Sequence, residues 1–183
     1  MKMEIVFPQN NENEFVEMAL KLSYREICFA YLENSIPNES PATKKLSIKT
    51  AILNPKNPAK AKNKADFVIS DENARQSFEN KDIDIVFGLE AKAKSDFNRQ
   101  RDSGLNQVLC EIARKNEKIY GFNFMDVLFA KNRPMIIGRM MQNMELCKKY
   151  KVKTIIFSGA KEPIGMRNGR DLVFFKLAEI KCY

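Results

Sequence analysis

Asp82, Asp84, Glu90 and Lys92 lie in and around the short strand-like run Ile83-Asp84-Ile85-Val86-Phe87-Gly88-Leu89. Those residue types suit work on phosphodiesters, because two carboxylates can hold Mg²⁺ while a lysine polarises the scissile phosphate. The spacing is loose, however, and a Glu-x-Lys triplet is common in a chain with 30% charged residues. Solvated charges at a strand end are the plainer reading. A second group is Arg99-Gln100-Arg101-Asp102-Ser103-Gly104-Leu105-Asn106. Its two arginines precede an expected helix start, with Asp102 or Ser103 as cap, where guanidinium forks and first-turn amides together suit phosphate.

What is missing narrows the chemistry further. The chain has no histidine, which excludes Ser-His and Cys-His nucleophilic machinery. It also excludes the histidine clusters that hold metals in amidohydrolase and PHP-type barrels. Cys28, Cys110, Cys147 and Cys182 lie far apart with no CxxC pair, so reduced, mostly buried thiols are expected rather than a zinc or iron–sulfur centre.

The net charge of +8 is unevenly spread. Residues 1–39 carry seven acids against three basic residues, 44–64 carry seven lysines and no acid, and 131–153 carry seven basic residues and one acid. Such asymmetry points to a polyanion as partner. With no basic amphipathic helix or acylation motif, nucleic acid is favoured over anionic lipid. Apolar runs are too short to cross a membrane and no signal peptide is read at the start. A soluble, cytoplasmic, single domain over 1–183 is the expectation.

The elements that must position these residues alternate in type. Strands are predicted over 3–7, 26–32, 46–53, 67–70, 83–87, 118–122 and 153–157. Helices are predicted over 11–22, 72–78, from Leu105 through Ala113, 125–130, 135–150 and 171–180, with Met140, Met141 and Met144 in the core. The stretch 54–64 reads as an exposed Lys-rich loop because of its prolines. Strands separated by helices imply a largely parallel sheet. The fold class is α/β, a distorted and shortened TIM-like barrel, since a full eightfold barrel needs about 250 residues.

Five blocks then resemble, in order, the ribonuclease P protein component 3 family. Asp102-Ser103-Gly104-Leu105-Asn106 resembles its RxSGLN block, and Gly121-Phe122-Asn123-Phe124 a strand end. Arg139 to Asn143 with Leu146 to Val152 resembles its long helix, Ser158-Gly159-Ala160 another strand end, and Arg167 with Asp171-Leu172 its closing element. The match covers about 83–180; Asn168-Gly169-Arg170 departs from it where the family often has proline, and 54–64 does not align. The resemblance implies a PHP-like barrel lacking that superfamily's metal site. It also implies a role as a non-catalytic subunit that stabilises the catalytic RNA during 5′-leader removal from precursor tRNA. Implied partners are that RNA, protein component 2, the other ribonuclease P protein subunits and precursor tRNA; Mg²⁺ is used by the RNA, and the chain itself binds no cofactor.

Ligands of such folds gather at the C-terminal ends of strands, and folded RNA is held mainly through phosphate, 2′-hydroxyl and shape. The expected RNA-binding residues are therefore Arg99, Arg101, Lys161, Arg167 and Arg170, followed by Arg139 and Lys148. Two other readings stay open: a stand-alone Mg²⁺-dependent nuclease using Asp84, Glu90 and Lys92, similar to PD-(D/E)xK enzymes, and a protein-interaction barrel.

Overall fold

The structure, a computed structural model, describes residues 3–37, 43–96, 98 and 101–172. Seven strands follow one another in a single sheet in chain order: β1 (Met3–Val6), β2 (Glu26–Leu32), β3 (Ser47–Leu53), β4 (Phe67–Ser70), β5 (Ile85–Phe87), β6 (Ile119–Asn123) and β7 (Lys153–Phe157). Helices α1 (Glu12–Lys21), α2 (Pro58–Lys62), α3 (Ala74–Glu79), α4 (Gln107–Lys115), α5 (Phe124–Leu128) and α6 (Arg133–Tyr150) intervene. The described residues fall into two compact units, one from Met1–Val68 with Ile156–Tyr183 and the other from Ile69–Ile155.

In the first unit β1, β2 and β3 pair in parallel, with Ile5 opposite Cys28 and Cys28 opposite Lys49. β1 is buried along its whole length and β2 over its centre, the pattern of strands covered on both faces. Helix α1 buries Phe15 and Ala19, and Phe15 meets Phe29 edge to face at 6.4 Å. The backbone leaving β7 returns to β1: Gly159 N donates to the Ile5 carbonyl and Phe7 N to that of Ala160. The stretch read as a loop over 54–64 contains α2, whose first turn is fixed by Pro58 and by Asn57, which accepts from Lys60 N.

In the second unit β4, β5 and β6 pair in parallel through Ile69, Ile85 and Ile119. Tyr120 and Phe122 pack edge to face at 5.1 Å. Helix α6 buries Ile136, Met140, Met144 and Cys147, so two of the three methionines expected in the core are fully inside it; Met141 is half-buried. Helix α4 is capped by Asn106, whose Oδ1 accepts from Leu109 N, and not by Asp102 or Ser103. Gly104 has φ +78°, outside helical geometry, so the helix cannot begin until the chain has passed it.

Asparagine performs this task repeatedly. Asn57, Asn73, Asn106, Asn123 and Asn132 each accept a first-turn amide with their side chains. Asn106→Ala is expected to lower stability by about 1 kcal/mol, since it orphans one such amide. A chemical denaturation midpoint equal to that of the parent chain would show the cap to be idle. Of the helix expected over 171–180, Asp171 and Leu172 are described and are helical together with 169 and 170; 173–180 lie outside the described residues.

Candidate nucleic-acid interface

The segment from Asp96 to Asn106 joins the turn after β5 to α4 and is pinned at both ends. Asp96 Oδ1 accepts from Arg139 Nε at 2.7 Å and from Asp102 N at 3.0 Å. These donors hold the Asp96 carboxyl below the usual carboxylate range, the Arg139 bond being the largest cause. Asn143 Nδ2 donates to the Ser103 carbonyl at 2.8 Å. Gly104 lies so close to Leu89 that a Cβ there would stand 2.7 Å from the Leu89 Cβ. Between these anchors Arg101 is exposed; Arg99 lies outside the described residues.

Beneath the segment is a buried polar node. Arg139 is 0% exposed, and its Nη1 donates to the carbonyls of Glu90 and Ala93, each at 2.8 Å. The expectation that Arg139 touches RNA is therefore corrected. Its position on α6 falls on the inward stripe with Ile136, Met140 and Asn143, so the guanidinium serves the interior. Glu90 is likewise 0% exposed; its Oε1 accepts from Asn143 Nδ2 at 2.9 Å, and burial pushes its carboxyl up to about 7.

The nuclease constellation is not assembled. Asp84 precedes β5 and Glu90 follows it, a rise of about 10 Å along the strand. Lys92 Nζ binds Asp71 Oδ2 at 3.0 Å, away from the Glu90 carboxyl enclosed by Asn143 and Tyr120. Asp71 and Lys92 adjoin Asp126, whose carboxyl is pushed up to about 6 by burial first and by Asp71 second. Among the described residues no group of three or more metal-type side chains comes together.

The remaining expected residues lie in two places. Lys148 is exposed near the end of α6, ten residues and about 15 Å along the helix from Gly138, where Arg101 rests. Lys161, Arg167 and Arg170 share the segment after β7. Lys161 and Arg170 are exposed. Arg167 is half-buried, and its Nη1 donates to the carbonyls of Ile164, Gly165 and Met166, so part of its guanidinium shapes its own loop.

That segment is held by a second buried group, which sequence reading missed. Glu4, 0% exposed, accepts from Ser158 N at 2.7 Å, from the Ser158 hydroxyl and from the Tyr24 hydroxyl at 2.7 Å. Tyr24 OH also lies 2.8 Å from the Arg167 carbonyl. A lone glutamate inside the apolar run Met3 to Phe7 was the available signal.

Parallel strands in chain order, alternating with helices and bearing basic loops beyond the strand ends, define a distorted α/β barrel of the expected class. Relatives of known name are ribonuclease P protein component 3, as the sequence blocks implied. One from Methanococcus maripaludis strain C5 is 27% identical over 174 residues, spanning 88% of this chain and 67% of the relative. Another from a second strain of that species is 27% identical over 170 residues, with the same shares. No family model matches the chain. Among solved structures, a chain from the cryo-EM structure of archaeal ribonuclease P with mature tRNA aligns with a TM-score of 0.81 at 19% identity, over 97% of this chain and 83% of that one. Histidinol phosphate phosphatase from Lactococcus lactis, complexed with zinc, L-histidinol and phosphate, aligns at 0.62 and 13% identity, over 98% and 92%. Both are likenesses of fold, and this chain carries that fold without a histidine. Among the described residues no helix is long and apolar enough to cross a membrane.

Proposed function

We propose that this chain is a single-domain protein subunit of ribonuclease P, one that binds and stabilises the catalytic RNA for removal of the 5′ leader from precursor tRNA and is itself non-catalytic. The observation that carries this reading is its similarity, over 88% of its length, to relatives of that name. Protein component 2 and the other protein subunits are its protein partners, Mg²⁺ is used by the RNA, and the assembly works in the cytoplasm. The basic blocks in 44–64 and 131–153 and exposed Arg101, Lys148, Lys161 and Arg170 supply the positive surface that phosphate contacts need. The burial of Glu90 speaks against the stand-alone nuclease.

Reconstitution tests the reading: the chain, added with its partner subunit to the catalytic RNA, lowers the Mg²⁺ needed to cleave precursor tRNA. RNA cleavage by the purified chain alone, abolished by Glu90→Ala, would sink it. Arg101→Ala combined with Arg170→Ala is expected to weaken RNA binding. The slope of log affinity against log salt becomes shallower by roughly 1.5, the contribution of two phosphate contacts. An unchanged slope removes both arginines from the interface.

A further inference from the structure

Gly138 is the sixth residue of the 18-residue helix α6, and nothing in the backbone calls for a glycine there. It has no positive φ, and glycine weakens a helix interior relative to alanine. Space explains it instead. A Cβ at this position would stand 2.7 Å from Arg101 Nε, 2.9 Å from its Cζ and 3.1 Å from its Nη2. The guanidinium lies against the bare helix backbone where any other residue would carry a side chain. No hydrogen bond or ion pair to a described residue occupies it. Asp96 is near enough to feel its charge, but that carboxylate already accepts from Arg139 and Asp102.

We propose that Gly138 is a positioning residue for RNA recognition: the notch it leaves in α6 seats the Arg101 guanidinium so that its donors stand ready for a phosphate. This rests on the RNA-binding reading above. An arginine on a flexible stem loses rotamer freedom when it binds, and an arginine already lodged in a notch loses less. The planar guanidinium can lie against a helix backbone, and its fork still matches phosphate oxygens. The buried node adds the other half of the device. Arg139 and Asn143, one and five residues further along the same helix, hold the ends of the Arg101 segment, so α6 fixes both the loop and its charged tip.

The test uses the full-length chain and transcribed ribonuclease P RNA of Methanococcus maripaludis, comparing Gly138→Ala, Arg101→Ala and the double variant. The atoms in the way are the far end of a flexible side chain, so Gly138→Ala moves Arg101 rather than the helix. Its melting temperature is expected to be unchanged or higher. Its RNA affinity is expected to fall roughly three- to tenfold, the worth of one charge-assisted phosphate contact, with the same flattening of the salt slope as Arg101→Ala. The double variant should bind no worse than Arg101→Ala alone, because the glycine acts only through that arginine. If Gly138→Ala binds like the parent while Arg101→Ala does not, the notch is overturned and the RNA reading survives. If Gly138→Ala unfolds or melts lower, or if the two losses add, the glycine serves packing and the proposal fails. A parent chain that does not bind the RNA overturns the functional reading, and this inference with it.

Discussion

Arg139→Ala is expected to lower stability by roughly 2–5 kcal/mol, the range for truncating a large buried side chain, since its partner Asp96 is partly exposed and is not left as a buried charge. The side chain is wholly enclosed, bonds Asp96 through Nε, and bonds the carbonyls of Glu90 and Ala93 through Nη1. Truncation leaves the buried Glu90 carbonyl and the part-buried Ala93 carbonyl without this donor, leaves Asp96 with the Asp102 amide alone, and opens a cavity the size of the longest side chain in the core. Arg139→Lys should recover only part of the loss, because a single ammonium cannot reach along the same fork. Urea denaturation gives the number. A loss below about 1 kcal/mol would mean that the node contributes little and the loop is held by other means.

The second large effect concerns pH. Burial pushes both the Glu4 and the Glu90 carboxyls up to about 7 from an ordinary value of 4.5. A folded-state pKa above the unfolded one means the native protein holds these protons more tightly. Their stabilising contribution is therefore complete below about pH 4.5 and disappears as pH rises through 7. Each group is worth on the order of 3 kcal/mol across that window. Asp126 acts in the same direction at about 6, whereas Asp96, held low chiefly by Arg139, works oppositely and contributes only above its own low range. Maximum stability is expected near pH 5, declining toward pH 8.

Geometry supports the protonated form of Glu4. Tyr24 has one hydroxyl hydrogen but two acceptors, Glu4 Oε2 at 2.7 Å and the Arg167 carbonyl at 2.8 Å. When Glu4 carries a proton it donates to Tyr24, and Tyr24 is then free to donate to Arg167. Melting temperatures between pH 4.5 and 8.5 check the whole argument. The parent should lose stability with rising pH, and Glu4→Gln with Glu90→Gln should flatten the curve; a flat curve for the parent would refute it.

The sheet was legible to a degree the loops were not. β2, β4 and β7 have the bounds that their runs predicted, because short stretches rich in β-branched and aromatic residues between polar ones are read as strands from the pattern alone. Helix α2 was hidden by its brevity and its lysines, although Asn57 followed by Pro58 is a start signal. The α4 cap was displaced by Gly104, whose positive φ no pattern reveals. Arg139 was misread because charge suggested surface, while its spacing from Ile136, Asn143 and Cys147 already put it on the buried stripe. Arg101 was read as an RNA-binding residue and stands exposed, but its seat on Gly138 joins positions 37 residues apart and leaves no trace in local sequence.

The repeated asparagine caps bear on how the protein ages. Asparagine deamidates spontaneously through a succinimide, which opens to aspartate or to backbone-lengthened isoaspartate; the aspartate product carries a carboxylate in place of the amide. At Asn57, Asn73, Asn106, Asn123 and Asn132 the acceptor oxygen survives that change. The new negative charge then sits at a helix N-terminus, where the aligned peptide dipoles favour it. Where aspartate forms, the caps at Asn57, Asn73, Asn106 and Asn132 keep their acceptor, whereas Asn123 also donates through Nδ2 to Asp126 Oδ1 and would there set two carboxyl groups side by side. Asn143 depends on its Nδ2 donor entirely, facing Glu90 Oε1 and the Ser103 carbonyl. The same conversion there removes the donor and sets two carboxylates against each other in a closed interior. That change would release the Ser103 end of the arginine loop above it.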